Sequence, residues 1–175
     1  PRWLILLCIL ICGIGIYLRL LNIDNRFLWE DEAYTLLRLS PYSFDDFRKE
    51  LGSTTKINAS EILRFQRIDT LRTFIQTWAK IAKDDQQLPP LYDMLLSWWA
   101  GLLGDQVKTL RILSVLLSVI TVFLAYWLGK ILFRSQMAGC CTMMLVSVSP
   151  IFVIFAQEIR CYSLWIPLII LISIV

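Results

Sequence analysis

From Val107 to Phe133 the chain is apolar, with charged side chains only near the two ends: Lys108 and Arg111 at the start, Lys130 at the finish. At ~1.5 Å of rise per helical residue, about 20 such residues cross a hydrocarbon core of ~30 Å. Residues 3–21 form a second run of this kind, with Arg2 before it and, near its far end, Arg19, whose long side chain is expected to snorkel to the interface. A signal peptide is the competing reading of that run. It is longer than the usual apolar core of a signal, and no small-residue cleavage site follows. Composition agrees with spans: 57% of residues are apolar, 18% charged, and the mean hydropathy is +0.63. A soluble domain would interleave its charges with its apolar residues, whereas here they concentrate between Arg19 and Asp105. The fold class this predicts is an all-α polytopic transmembrane helical bundle.

Two further spans follow, over 137–155 and from 164 to 175, separated by a polar break at Gln157-Glu158-Ile159-Arg160-Cys161-Tyr162-Ser163. The chain starts with Pro1 and stops at Val175 inside an apolar run. It therefore reads as the N-terminal part of a longer polytopic protein, one transmembrane domain over 1–175.

Between the first two long runs lies a polar stretch, 22–106. A short helix is expected over 43–51, with Ser43 capping it ahead of Asp45 and Asp46 and Gly52 ending it. A longer helix is expected over 60–82, capped by Ser60. Its apolar residues Ile62, Phe65, Ile68, Leu71, Phe74, Ile75, Trp78 and Ile81 recur at three- and four-residue steps, with Arg64, Arg67, Arg72 and Lys80 on other faces. Such a cationic amphipathic helix can lie in the membrane interface or pack on a soluble lobe. Asn58-Ala59-Ser60 matches a glycosylation sequon, a weak signal. The apolar segment 91–103 carries Asp93 and two tryptophans and is short for a span, which suits an interfacial or re-entrant helix.

If 91–103 crosses the membrane, Asp31 and Glu158 fall on opposite faces. If it lies flat, both share the exoplasmic face, and Arg2, Lys130 and Arg134 share the cytoplasmic one. The second arrangement obeys the positive-inside tendency and is the one expected.

Composition also excludes functions. A net charge of +3 with no basic run and no interleaved aromatics argues against nucleic acid. With no histidine, His-based metal sites and Ser-His-Asp catalysis are absent from this chain. Cys8, Cys12, Cys140 and Cys141 sit in apolar runs as small packing residues.

Three carboxylates, Glu30, Asp31 and Glu32, stand behind the first span. Arg111 begins the second span, and Glu158 and Arg160 follow the third. Ionisable groups at membrane depth are costly and tend to be functional or paired. A partly desolvated carboxylate can act as general base toward a hydroxyl or amine, and guanidinium groups can hold a phosphate through two parallel bonds. Together these parts suit displacement of a phosphate from a sugar. The same residues could equally neutralise one another as structural pairs.

The ordered series Leu28-Trp29-Glu30-Asp31-Glu32-Ala33-Tyr34-Thr35, Pro89-Pro90-Leu91-Tyr92, Arg111-Ile112-Leu113-Ser114, Ser149-Pro150 and Gln157 to Leu164 resembles the N-terminal part of GT-C integral-membrane glycosyltransferases. The resemblance is to the protein mannosyltransferase and aminoarabinose transferase-like group, glycosyltransferase family 39 and its bacterial relatives. It implies an inverting transferase that moves a sugar from a polyprenyl-phosphate donor to a lipid, glycan or protein acceptor. The site would face the periplasm or lumen, in a bacterial inner membrane rather than the endoplasmic reticulum. Asp31 would be the base or acceptor-orienting group, supported by Glu32. Arg111 would be the phosphate-side cation, and Glu158 and Arg160 would belong to the second-loop motif. Tyr92 and Tyr162 would line the groove. Asp93 stands where relatives often carry an aromatic or apolar residue. No cofactor is required, although adjacent carboxylates could bind a divalent cation. The rival from another class is a non-catalytic lipid-binding or assembly module. A transporter is disfavoured, since no repeat and no pair of glycine- or proline-broken spans is seen.

Overall fold

The computed structural model describes residues 2–53, 59–70, 74–84 and 89–175. Among these the chain is helical, with no strand, and divides into two compact units: Pro1–Arg26 with Arg111–Val175, and Phe27–Leu110. The protein is an all-α integral membrane protein.

The first unit holds α1 (Arg2–Leu20), most of α7 (Val107–Phe133), α8 (Gln136–Val148), α9 (Pro150–Ala156) and α10 (Tyr162–Ile174). Helices α1 and α7 are each long and apolar enough to cross a membrane. The sequence of α7 explains its two faces. Leu116, Ile120, Phe123, Trp127 and Ile131 recur at three- and four-residue steps and are exposed, as lipid-facing residues should be. Ser114, Ser118, Thr121 and Ala125 recur on the other side and are buried, since small residues let helix backbones approach.

The run expected to be one span over 137–155 is instead two helices, α8 and α9, bent by 57° at Ser149. Pro150 is the cause. It has no N–H to give the carbonyl of Val146 and its ring cannot follow a preceding helical turn, so it opens α9 as a first-turn proline.

Arg19 meets the carbonyls this break exposes. It does not snorkel to the interface as expected. It is fully buried and donates to Ser118 Oγ at 2.9 Å, to Ser147 O at 2.5 Å, to Val146 O at 3.3 Å and to Gly15 O at 2.9 Å. In lipid, a carbonyl freed by a proline must find a donor inside the protein. Here the donor is a guanidinium one helix away. The approach of α1 to α8 depends on Gly15, where a Cβ would stand 2.1 Å from Ser147 Oγ and 2.5 Å from its carbonyl oxygen. Gly139 does the same on the other side of α8, where a Cβ would lie 2.7 Å from the Tyr126 carbonyl oxygen of α7.

The second unit carries α2 (Glu30–Leu39), α3 (Phe44–Ser53), α4 (Ala59–Arg64), α5 (Phe74–Asp84) and α6 (Leu91–Leu103). Ser43 caps α3 as expected. Its N–H and hydroxyl donate to Asp46 Oδ2 at 2.9 and 2.8 Å, and these bonds hold the Asp46 carboxyl below the usual carboxylate range. The helix runs through Gly52 to Ser53 rather than ending at the glycine.

The continuous helix expected over 60–82 is broken. Helix α4 stops at Arg64, and Phe65 and Ile68 are buried in the turn that follows. Phe65 packs against Tyr42 and Phe47, with ring centroids 4.8 and 5.2 Å apart, and Asp69 N–H donates to the Leu39 carbonyl at 3.0 Å. Tertiary packing thus outcompetes the helical period. Leu71, Arg72 and the Asn58 sequon position lie outside the described residues, as does the side chain of Ser60.

Replacing Arg19 by methionine should lower stability by about 2 kcal/mol, the cost of leaving buried carbonyls without donors, and Gly15→Ala should cost a similar ~1–3 kcal/mol by overpacking. Thermal unfolding in detergent checks both, with Gly13→Ala as the control, because no atom lies within 4 Å of a Cβ there.

Candidate active site

Helix α2 brings the acidic triplet into its first turn, where negative charge complements the positive end of the helix. Trp29, in extended backbone, has no oxygen with which to cap. Glu32 at the third helical position takes over, its Oε2 accepting from Trp29 N–H at 3.0 Å. Glu32 is buried, and Asp31 beside it is partly buried.

The other end of α2 is fastened by α5. Lys80 Nζ donates to the carbonyls of Ser40 and Tyr42, at 2.5 and 2.7 Å, just past the last turn. A cation there suits the negative end of the helix. In the last turn of α2, Arg38 Nε lies 3.1 Å from Asp93 Oδ2 of α6, an ion pair with side chains only 4% and 3% exposed. Arg38 Nη2 also donates to Thr35 Oγ1 at 3.2 Å, and Thr35 Oγ1 donates to the Asp31 carbonyl at 3.0 Å. A different face of α2, with Glu30, Ala33, Tyr34 and Leu37, lines an apolar cavity of about 170 Å³ together with Phe47 and Phe65. Tyr92, expected to line a groove, is 1% exposed and belongs to the core.

In the other unit, the segment leaving α1 is held by two side chains. Arg111 is 1% exposed, and its Nη1 donates to the carbonyls of Ile23 at 2.8 Å and Arg26 at 3.2 Å. Gln157 Nε2 donates to the carbonyls of Leu18 and Leu21, at 2.8 and 3.1 Å, capping the C-terminal end of α1. Its Oε1 accepts from Arg26 Nη1 at 2.7 Å. The turn that carries Glu158 is tight: Arg160 N–H donates to the Glu158 carbonyl at 3.0 Å, and Ser163 Oγ donates to the Arg160 carbonyl at 2.9 Å. Arg160 is largely buried, with its Cζ 5.6 Å from the centre of the Tyr162 ring. Tyr162 in turn packs against Phe155 and Trp165. The predicted site residues are therefore divided: Asp31, Glu32 and Tyr92 belong to one unit, and Arg111, Glu158, Arg160 and Tyr162 to the other. Among the described residues, no group of three or more Cys, Asp or Glu converges in the manner of metal ligands.

A family model described as dolichyl-phosphate-mannose-protein mannosyltransferase matches residues 87–175, just over half of the chain. The chain belongs to this family. Like other members of the mannosyltransferase family, it is a membrane glycosyltransferase of the GT-C type. The matched stretch contains Tyr92, Arg111, Glu158, Arg160 and Tyr162, while Asp31 and Glu32 precede it. No curated protein and no solved structure matches the chain.

Sequence reasoning missed Arg38, Lys80 and Gln157. Arg38 had a signal: an arginine between leucines on a short helix, with an unexplained aspartate at 93 inside another apolar helix, is the pattern of a buried pair. The backbone contacts of Lys80 and Gln157 have no such signal.

Because Glu32 closes the N-terminus of α2, Glu32→Ala should cost about 1 kcal/mol, while Glu32→Gln keeps the acceptor and should cost less. Amide exchange over Glu30–Ala33 reads the difference.

Proposed function

We propose that this mannosyltransferase-family chain moves a sugar from a polyprenyl-phosphate donor to an acceptor on the periplasmic or lumenal face, inverting the anomeric centre. Mannose on dolichyl phosphate is the donor the family's name carries. The acceptor heteroatom attacks the anomeric carbon, the bond from that carbon to the phosphate oxygen breaks, and the electron pair leaves on the phosphate. Asp31 accepts the acceptor's proton or orients it. The observation that supports this assignment best is local. Within the acidic triplet, Glu32 is buried and engaged in capping, whereas Asp31 is partly buried at the first turn of the same helix.

Arg111 and Arg160 are assigned to the donor phosphate, and Glu158 supports Arg160 from the same turn. Tyr162, with its ring against Phe155 and Trp165, is assigned to the apolar approach for the prenyl chain. The chemistry asks for no metal, because arginines can carry the developing phosphate charge. The sidedness draws support from exposed apolar residues on the amphipathic segments: Ile75 and Trp78 on α5, and Leu91, Trp98 and Leu102 on α6. Tryptophans with leucines at the surface suit helices that lie in the interface.

Asp31→Asn should reduce transfer of tritiated mannose from dolichyl-phosphate-mannose by at least roughly a hundredfold, with membrane insertion unchanged. Turnover near that of the parent chain would remove Asp31 from the chemistry. For sidedness, single cysteines replace Asn25 and Arg134 in a chain otherwise free of cysteine. An impermeant thiol reagent applied to intact cells should label position 25 and spare 134. Labelling of both would mean that α6 crosses the membrane.

A further inference from the structure

We infer that Arg38, Asp93 and Thr35 form a positioning relay for Asp31, acting through the hydroxyl of Thr35 and not only as a clamp between α2 and α6. The inference rests on the reading above, in which Asp31 meets the acceptor.

A buried ion pair is seldom more stable than a well-packed apolar pair in its place, because both charges lose their hydration. Stability alone therefore does not account for Arg38 and Asp93, whose side chains are 4% and 3% exposed. Geometry does. Asp93 Oδ2 lies 3.1 Å from Arg38 Nε as its buried counter-charge, and Arg38 Nη2 is directed at Thr35 Oγ1, 3.2 Å away. A guanidinium can only donate, and a hydroxyl has a single hydrogen. With Arg38 donating to it, the Thr35 oxygen is an acceptor on that side, and its one hydrogen is sent to the Asp31 carbonyl, 3.0 Å away. The bonds all run in one direction: Arg38 to Thr35 to Asp31. Thr35 is itself buried and stiff about χ1, so its hydroxyl holds this position. The peptide group that begins at the Asp31 carbonyl is bonded to the Cα from which the Asp31 side chain projects. Fixing its plane fixes where the carboxylate can reach. Asp93 and Arg38 are thus positioning residues, and Thr35 is the link between them and Asp31.

A clamp and a relay differ in what a charge swap does. In the R38D/D93R double variant the ion pair between α2 and α6 is re-formed in reverse. Asp at 38 can only accept, so the Thr35 hydrogen turns toward it and leaves the Asp31 carbonyl. A clamp survives the swap and a relay does not.

The test is the full chain in native membranes, assayed with dolichyl-phosphate-[3H]mannose and endogenous membrane acceptors. Thr35→Val, close in shape but without the hydroxyl, should lower kcat roughly tenfold, the scale expected of a sub-ångström displacement of a reacting group. KM for the donor should not move. Thr35→Ser should keep kcat within about twofold of the parent. The R38D/D93R variant should show the parent's melting temperature but a kcat as low as that of Thr35→Val. Full activity in Thr35→Val, or recovery of kcat in the swap, overturns the relay. Asp31→Asn is assayed alongside. If it remains active, the catalytic assignment fails. If it is inactive while Thr35→Val is fully active, only the relay fails. Should the swap not insert, the comparison of Thr35→Val with Thr35→Ser decides alone.

Discussion

A guanidinium in the interior of an apolar bundle is the contact on which the first unit depends. Arg19 donates to three helices at once: to its own at Gly15, to α7 at Ser118 and to the end of α8 at Val146 and Ser147. The acceptors are polar groups inside or at the edge of an apolar bundle, so the arginine and the groups around it are mutually necessary. The carbonyls exist in that state because Pro150 withholds its N–H, and the arginine can reach them because Gly15 lets α1 come close. Gly15 and Arg19, one turn apart on α1, and Pro150, far along the chain, serve one purpose, which is to let a spanning helix break without an unsatisfied backbone.

The second unit solves a related problem with different chemistry. Helix α2 has only ten residues and would be marginal alone. Its N-terminus is closed by its own Glu32, the carbonyls past its C-terminus by Lys80 from α5, and its last turn is paired through Arg38 with Asp93 from α6. A short helix held at three points presents its first turn in a constant place. That is what a carboxylate with a chemical role needs, and loops seldom provide it.

Much of this was legible in the chain. The all-helical membrane class follows from the lengths of the apolar runs, and α6 and α7 have the bounds those runs suggest. Ser43 announced its cap. The failures have physical causes. Hydropathy cannot see a bend when both arms of a helix are apolar, so the break at Pro150 reads as one span. Periodicity cannot see that Phe65 packs on Tyr42, and that Asp69 N–H finds the Leu39 carbonyl, once the helix stops. Arg19 reads as an interfacial residue because two of its acceptors are backbone carbonyls about 130 residues away, which carry no sequence signature. For the site, the residue types were readable from charges at span ends. The division of labour between Asp31 and Glu32 was not, because it depends on which carboxylate turns back to the helix end.

The bend at Ser149 also sets where the polar turn emerges. Helix α9 has seven residues, about 10 Å of helix at ~1.5 Å each, and it departs from the line of α8 by 57°. Its far end is therefore carried sideways by roughly 9 Å, close to the spacing of two packed helices. A straight continuation would deliver Gln157 one helix position away from α1, out of reach of the carbonyls of Leu18 and Leu21 that it now caps. The proline is thus a lateral offset, moving the Glu158–Arg160 turn from the axis of its own span to the end of its neighbour.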